Sequence, residues 1–149
     1  METTRTSTII ERPAPQVFDF VTEFPNDPKW QRGKESCTWT STGGLRVGAT
    51  YEQRARFLGK EIVNNFTVLE LDPGRRVVYE SRDGSFPLVV TRTVEDLGDG
   101  RCRFTEAVEG EASGFFKLAS PLLQPLVRSS IRKDFRVLKA LLEEPAANA

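Results

Sequence analysis

The stretch SPLLQPLVRSSIRKDFRVLKALLE, residues 120–143, decides the fold. Ser120 followed by Pro121 is a helix cap with proline at the first helical position. Leu122, Leu123, Leu126, Val127, Ile131, Phe135, Leu138, Leu141 and Leu142 then recur at helical spacing on one side, with Arg128, Arg132, Lys133, Arg136 and Lys139 largely on the other. The spacing predicts a helix over roughly Pro121 to Glu143, loosened in its first turn by Pro125, which has no N–H to donate. Asp134, Glu143 and Glu144 interleave with the basic side, which therefore reads as a solvated face. Contact with an anionic membrane is the competing reading.

Upstream of that helix the period changes from helical to two. From Val47 to Val108 the chain reads as a meander of strands, with turn signals at Leu58-Gly59-Lys60, Asp72-Pro73-Gly74, Arg82-Asp83-Gly84-Ser85 and Gly98-Asp99-Gly100. Tyr51, Ala55 and Phe57 alternate with Glu52, Arg54 and Arg56. Ile62, Phe66 and Val68 take one parity of the next strand, Val63, Leu69 and Leu71 the other. Before the meander, residues 5–12 read as a strand. Pro13-Ala14-Pro15 opens a helix with Val17, Phe18, Phe20, Val21 and Phe24 as its stripe, and Pro25 to Trp30 is a turn or a short second helix. Cys37 to Thr40 begins a further extended section. Phe115 to Ala119 reads as a short turn, and Pro145 to Ala149 as a frayed tail.

A sheet with one apolar face must cover it, and the last helix is the element long enough to do so. The expected architecture is α+β: about seven antiparallel strands, strongly curved around the C-terminal helix, with two short helices after the first strand. Residues 1–144 form one domain without repeats or linkers. A chain of 149 residues can bury about 68–70% of its unfolded surface, so it needs neither metal nor disulfide to fold. A sheet bent around one helix leaves room between them for a small molecule.

Composition removes several function classes. There is no histidine, which excludes serine–histidine and cysteine–histidine catalysis and removes the commonest metal ligand. Any proton transfer would fall to carboxylates, Tyr51, Tyr79, lysine, arginine or water. The 21 basic residues equal the 21 acidic ones and are scattered, which gives no support to nucleic-acid binding. No run reaches the roughly 20 apolar residues of a membrane helix, and no secretory signal opens the chain. The expected address is the cytoplasm, with no stable membrane insertion, no cofactor, and a monomer or homodimer. Cys37 and Cys102 show no metal or redox spacing and read as free, packed thiols.

Four phrases resemble a known family: Ile10-Glu11-Arg12-Pro13-Ala14-Pro15-Gln16-Val17-Phe18-Asp19-Phe20-Val21, Pro28-Lys29-Trp30, Glu70-Leu71-Asp72-Pro73-Gly74-Arg75 and Leu138-Lys139-Ala140-Leu141-Leu142-Glu143. Over about Thr4 to Glu144 the chain is similar to the polyketide cyclase/dehydrase-like branch of the START and birch-pollen-allergen superfamily (SRPBCC), whose architecture is the helix-grip fold. The resemblance implies a cavity for a lipid, polyketide, quinone or similar molecule. It carries no active-site residue, because these motifs are structural in the family and the fold hosts many tasks.

The candidate ligand-binding residues are Trp30, Tyr51, Phe57, Asn64, Phe66, Tyr79, Phe104, Glu106, Leu123, Val127 and Ile131. The rings of the strands either line a cavity or fill a core, and Trp30 either covers a cavity mouth or packs the entry helix on the sheet. Asn64 shares the parity of Phe66 and can orient a ligand carbonyl, or else sits at the surface. Leu123, Val127 and Ile131 should form the cavity floor. Glu106 shares the parity of Phe104 and Val108, so it is either a buried proton donor or a carboxylate paired with Arg92 or Arg54. With Tyr51 and Tyr79 it forms the set of candidate catalytic groups. The principal function expected is binding of a hydrophobic or aromatic small molecule; the alternatives are an aromatase or cyclase-like enzyme and a protein-interaction module. Titration of unfolded, unreduced protein with a thiol reagent should find two reactive cysteines, and finding none would overturn the cytoplasmic assignment.

Overall fold

The computed structural model describes residues 2–57, 59–82, 87–110 and 124–145. Seven strands form one antiparallel sheet: β1 (Glu2–Ile10), β2 (Lys34–Trp39), β3 (Thr50–Phe57), β4 (Lys60–Asp72), β5 (Arg76–Ser81), β6 (Leu88–Gly98) and β7 (Arg101–Gly110). Their spatial order is β1-β7-β6-β5-β4-β3-β2. Each strand from β2 to β7 pairs with the next, as a meander must, and the turn at Gly98-Asp99-Gly100 holds three successive positive φ angles, two of them on glycines, which adopt them at little cost. Helix α1 (Ala14–Thr22), a 3-10 helix (Phe24–Lys29) and the C-terminal helix α2 (Gln124–Glu143) complete the described chain. This is the expected helix-grip architecture. The expected helix start at Pro121, the turn at 115–119 and the tail beyond Pro145 lie outside the described residues; Pro125 stands in the first turn of the described helix.

The strand order explains how the concave face is covered. β1 and β2 follow one another in sequence yet occupy opposite edges of the sheet, so residues 11–33 must cross it. α1 packs on β6 and β7, and the 3-10 helix on β2. The covering is thus shared between two segments instead of falling to the C-terminal helix alone. One cluster joins Val17, Phe18 and Val21 of α1 to Phe104 and to Phe135, Leu138 and Leu142 of α2. A second cluster places Phe24 of the 3-10 helix among Tyr51, Phe66, Val68, Val77 and Tyr79. Burying one such ring contributes roughly 1.5–3 kcal/mol.

A bulge changes one strand assignment. Register shifts between Val68 and Glu70, which turns Leu69 out to solvent and brings Leu71, opposite Val77, onto the core side. Strict alternation puts Leu71 on the outer face; the extra residue reverses that parity after the bulge.

The crossing segment is anchored by Arg92 of β6, only 1% exposed. Its five N–H groups all donate: Nε to Glu106 (2.7 Å), Nη1 to the Val21 carbonyl (2.8 Å) and Asp27 (2.9 Å), Nη2 to Asp27 (3.0 Å) and Gln31 (3.4 Å). The guanidinium also lies 5.2–5.8 Å from the ring centres of Trp30, Tyr79 and Phe24. Lys34 adds a second cation to Asp27 at 3.0 Å. Burial alone would raise the Asp27 carboxyl, but Arg92 and Lys34 overcome it and hold the group below its ordinary value.

Removing one partner of such a pair strands the other charge in the core. Asp27→Asn should therefore lower unfolding free energy by about 3–5 kcal/mol, measured by denaturant titration at neutral pH. Because the folded-state pKa is depressed, this contribution is complete above the unfolded value of about 3.9 and is lost as pH falls through the folded one. The wild type should show an acid-dependent loss in that window which Asp27→Asn lacks; identical acid limbs would contradict the assignment.

Candidate functional site

In an antiparallel sheet directly paired residues share a face, so the register defines the concave side. Tyr51 pairs with Phe66, Gln53 with Asn64 and Ala55 with Ile62. Tyr79 pairs with Val90, Ser81 with Leu88, Val90 with Val108 and Arg92 with Glu106. All of these point toward the helices, and they divide the concave face into two ends.

At the first end the core is filled. Trp30 is completely buried between Phe104 (6.0 Å, edge-on) and Phe135 (5.6 Å, edge-on). It packs the entry segment on the sheet. Phe24 stacks on Tyr51 at 4.3 Å and meets Tyr79 at 4.7 Å, while Tyr51 stacks on Phe66 at 5.1 Å. Tyr51 and Tyr79 thus meet the 3-10 helix, Phe66 stacks behind Tyr51, and among the described residues Phe104 is the candidate whose ring stacks on α2, at Phe135, 5.4 Å away. Burial pushes both phenols well above their ordinary value, so each is protonated at neutral pH and available as a donor.

The other end differs. Ala55, Ile62, Leu88 and Val108 are on the inward parity yet remain partly exposed. Between them and the filled end lies a polar group: Gln53, Asn64 and Ser81. Asn64 is 2% exposed and donates to the Ser81 hydroxyl at 3.0 Å. Four buried side-chain atoms have no hydrogen-bond partner among the described residues: Gln53 Oε1 in this group, the Tyr51 hydroxyl, Trp30 Nε1 in the filled end, and Arg12 Nε. An unsatisfied buried polar atom costs about 1–3 kcal/mol, and Gln53 Oε1 is the one whose neighbours on the inward face, Ala55 and Ile62, are partly exposed.

Glu106 is buried as its parity requires and meets Arg92, the inward of its two candidate partners; Arg54 is exposed and pairs with Glu52 and Glu61. Because every Arg92 donor is occupied within the protein, the guanidinium has none left for a ligand. Ile131 of α2 is partly buried against the first cluster. Leu123 and the side chains of Phe57 and Val127 lie outside the described residues. Gln53, Ser81 and Asp27 escaped sequence reading. Gln53 and Ser81 were within reach of the parity rule applied to polar residues, whereas Asp27 carries no local signal, its partner being 65 residues away. Both cysteines are buried free thiols, and burial raises each to about 11.

No helix among the described residues is long and apolar enough to cross a membrane. A search of curated proteins found no match to the sequence. Among solved structures, protein CV1439 from Chromobacterium violaceum is 23% identical, with 97% of this chain and 99% of that chain covered and a TM-score of 0.72. A START superfamily protein from Mycobacterium smegmatis is 14% identical over 95% of this chain and 94% of that one, TM-score 0.67. The di-domain aromatase/cyclase BexL of the BE-7585A biosynthetic pathway is 16% identical, with 93% of this chain and 45% of that chain covered and a TM-score of 0.68. These likenesses establish the fold. The model of the family described as polyketide cyclase / dehydrase and lipid transport matches residues 1–143, and the chain belongs to that family.

Proposed function

We propose that the protein binds a hydrophobic or aromatic small molecule on the half-covered end of the concave face, without transforming it. The observation that carries this reading is the buried Gln53 Oε1, without a partner among the described residues, beside partly exposed inward apolar side chains. Binding sites of this kind are mostly apolar with a few placed polar groups. Ala55, Ile62, Leu88 and Val108 supply the apolar contact. Gln53 accepts from a ligand hydroxyl, and Asn64, donating to Ser81, stands opposite it across the strand pair.

Catalysis by Glu106, Tyr51 or Tyr79 has less support. The carboxylate is engaged by Arg92, and both phenols hold their protons far above neutral pH. A general acid and base need values near the working pH. The cytoplasm stays the proposed address, and a monomer or homodimer the proposed assembly.

Two substitutions test the reading. Val108→Trp places a ring in the space assigned to ligand, so it should abolish binding of a neutral environment-sensitive dye such as Nile red while leaving the melting temperature nearly unchanged. A filled core would instead respond by losing about 1–3 kcal/mol of stability to overpacking, with no dye binding in the wild type to lose. Gln53→Leu removes an unsatisfied acceptor, so the unliganded protein should be as stable as the wild type or more so. The same variant should lose a preference for 2-naphthol over naphthalene worth about 0.5–1.5 kcal/mol, the net value of one hydrogen bond. A destabilised Gln53→Leu protein with the naphthol preference intact would show Gln53 to be structural.

A further inference from the structure

Between the free edge of β1 and helix α2 runs an open groove of about 610 Å³, within the roughly 300–1,000 Å³ of small-molecule sites. Arg128 and Arg132 line it from the helix, where a spacing of four residues puts both on one face, and Arg5 lines it from the strand edge, on the parity opposite to Thr4 and Thr6. Among the described residues no carboxylate lines the groove and none of the three arginines holds an ion pair, whereas Arg54, Arg56, Arg76 and Arg103 of the sheet each have a glutamate partner. The buried network next to the groove does not compensate for them, because Arg92 and Lys34 are already matched by Asp27 and Glu106.

The groove is continuous with the concave face. Two of its lining residues, Thr4 and Thr6, pair with Val108 and Glu106 and so share their inward parity. On the opposite wall Ile131 packs against the core. A molecule resting on Val108 is therefore about one strand spacing, roughly 4.8 Å, from the strand that carries Arg5.

We propose that this groove is an anion subsite, and that the ligand of the concave face is an anionic amphiphile whose apolar body lies on Leu88 and Val108 and whose carboxylate or phosphate head meets Arg5, Arg128 and Arg132. Guanidinium groups that share one groove without carboxylate partners repel one another until an oxyanion joins them, and their planar forks match its oxygens two at a time. This proposal rests on the binding reading above and adds the charge and placement of the ligand's head.

The test is competition against Nile red by dodecanoate and by its methyl ester, on the whole protein, with Arg128→Gln/Arg132→Gln as the variant. Both positions are exposed, so the variant should keep its melting temperature. The wild type should bind the acid at least about tenfold more tightly than the ester, a difference of about 1.4 kcal/mol. Added salt should reduce that preference, and the double variant should lose it while its affinity for the ester is unchanged. Equal affinity for acid and ester in the wild type would overturn the anion subsite and leave the cavity intact; failure of the dye and both competitors to bind would remove the cavity reading and this one with it. Pelleting with anionic vesicles, without preference for the monomeric acid, would make the arginines a membrane-surface contact and overturn the proposal. Binding of inorganic phosphate that leaves the acid's affinity unchanged would mark a free-anion site and overturn it as well.

Discussion

The rest of the structure depends on one buried cation. Arg92 stands in the middle of the sheet, where a guanidinium is tolerable only if its charge and all five donors are met. Asp27 meets two of the five donors from a segment that has to cross the sheet anyway, because β1 and β2 lie at opposite edges. The ion pair therefore does more than neutralise a charge. It fixes the height and register of the 3-10 helix, so that Phe24 lands on Tyr51 and Tyr79 and Trp30 on Phe104 and Phe135. Replacing the network with apolar residues need not cost stability, but it would remove the directional contacts that choose this docking over a shifted one.

Anchoring the crossing segment at one end leaves the other end to different chemistry. α1, the 3-10 helix and the C-terminal half of α2 seal the face from Ile10 and Cys102 as far as Tyr51. Beyond that line the inward residues change character: Gln53, Asn64 and Ser81 are polar, and Ala55, Ile62, Leu88 and Val108 are apolar but incompletely covered. Close-packed interiors cover their apolar side chains, so the contrast in coverage between the two ends of one sheet identifies the site better than any single residue does.

Periodicity made the strands, the meander and the two long helical stripes legible, and with the resemblance of four phrases it led to the helix-grip fold. Parity also placed Asn64, Glu106 and Arg92 on the inward face. What escaped were features that depend on contacts between distant parts of the chain. A proline-rich turn gives no sign that Asp27 will be wholly buried, because its partner Arg92 lies on the fifth strand after it. The bulge after Val68 has no glycine to announce it, so Leu71 read as outward. Phe24 looked like the end of a helical stripe, whereas the topology makes it the plug of the aromatic cluster. Arg128 and Arg132 read as part of a solvated face; only the position of the β1 edge turns that face into a groove wall.

Family membership and fold leave the ligand to be inferred from this one surface, and the central claim is that the concave face has a closed end and an open one. Methyl NMR of the protein titrated with a neutral apolar ligand tests it directly. The account predicts saturable shifts at Ala55, Ile62, Leu88 and Val108, with Val17, Val21 and Leu138 of the sealed end unmoved. Shifts confined to outward residues such as Val47 and Leu69, or none at all, would contradict it.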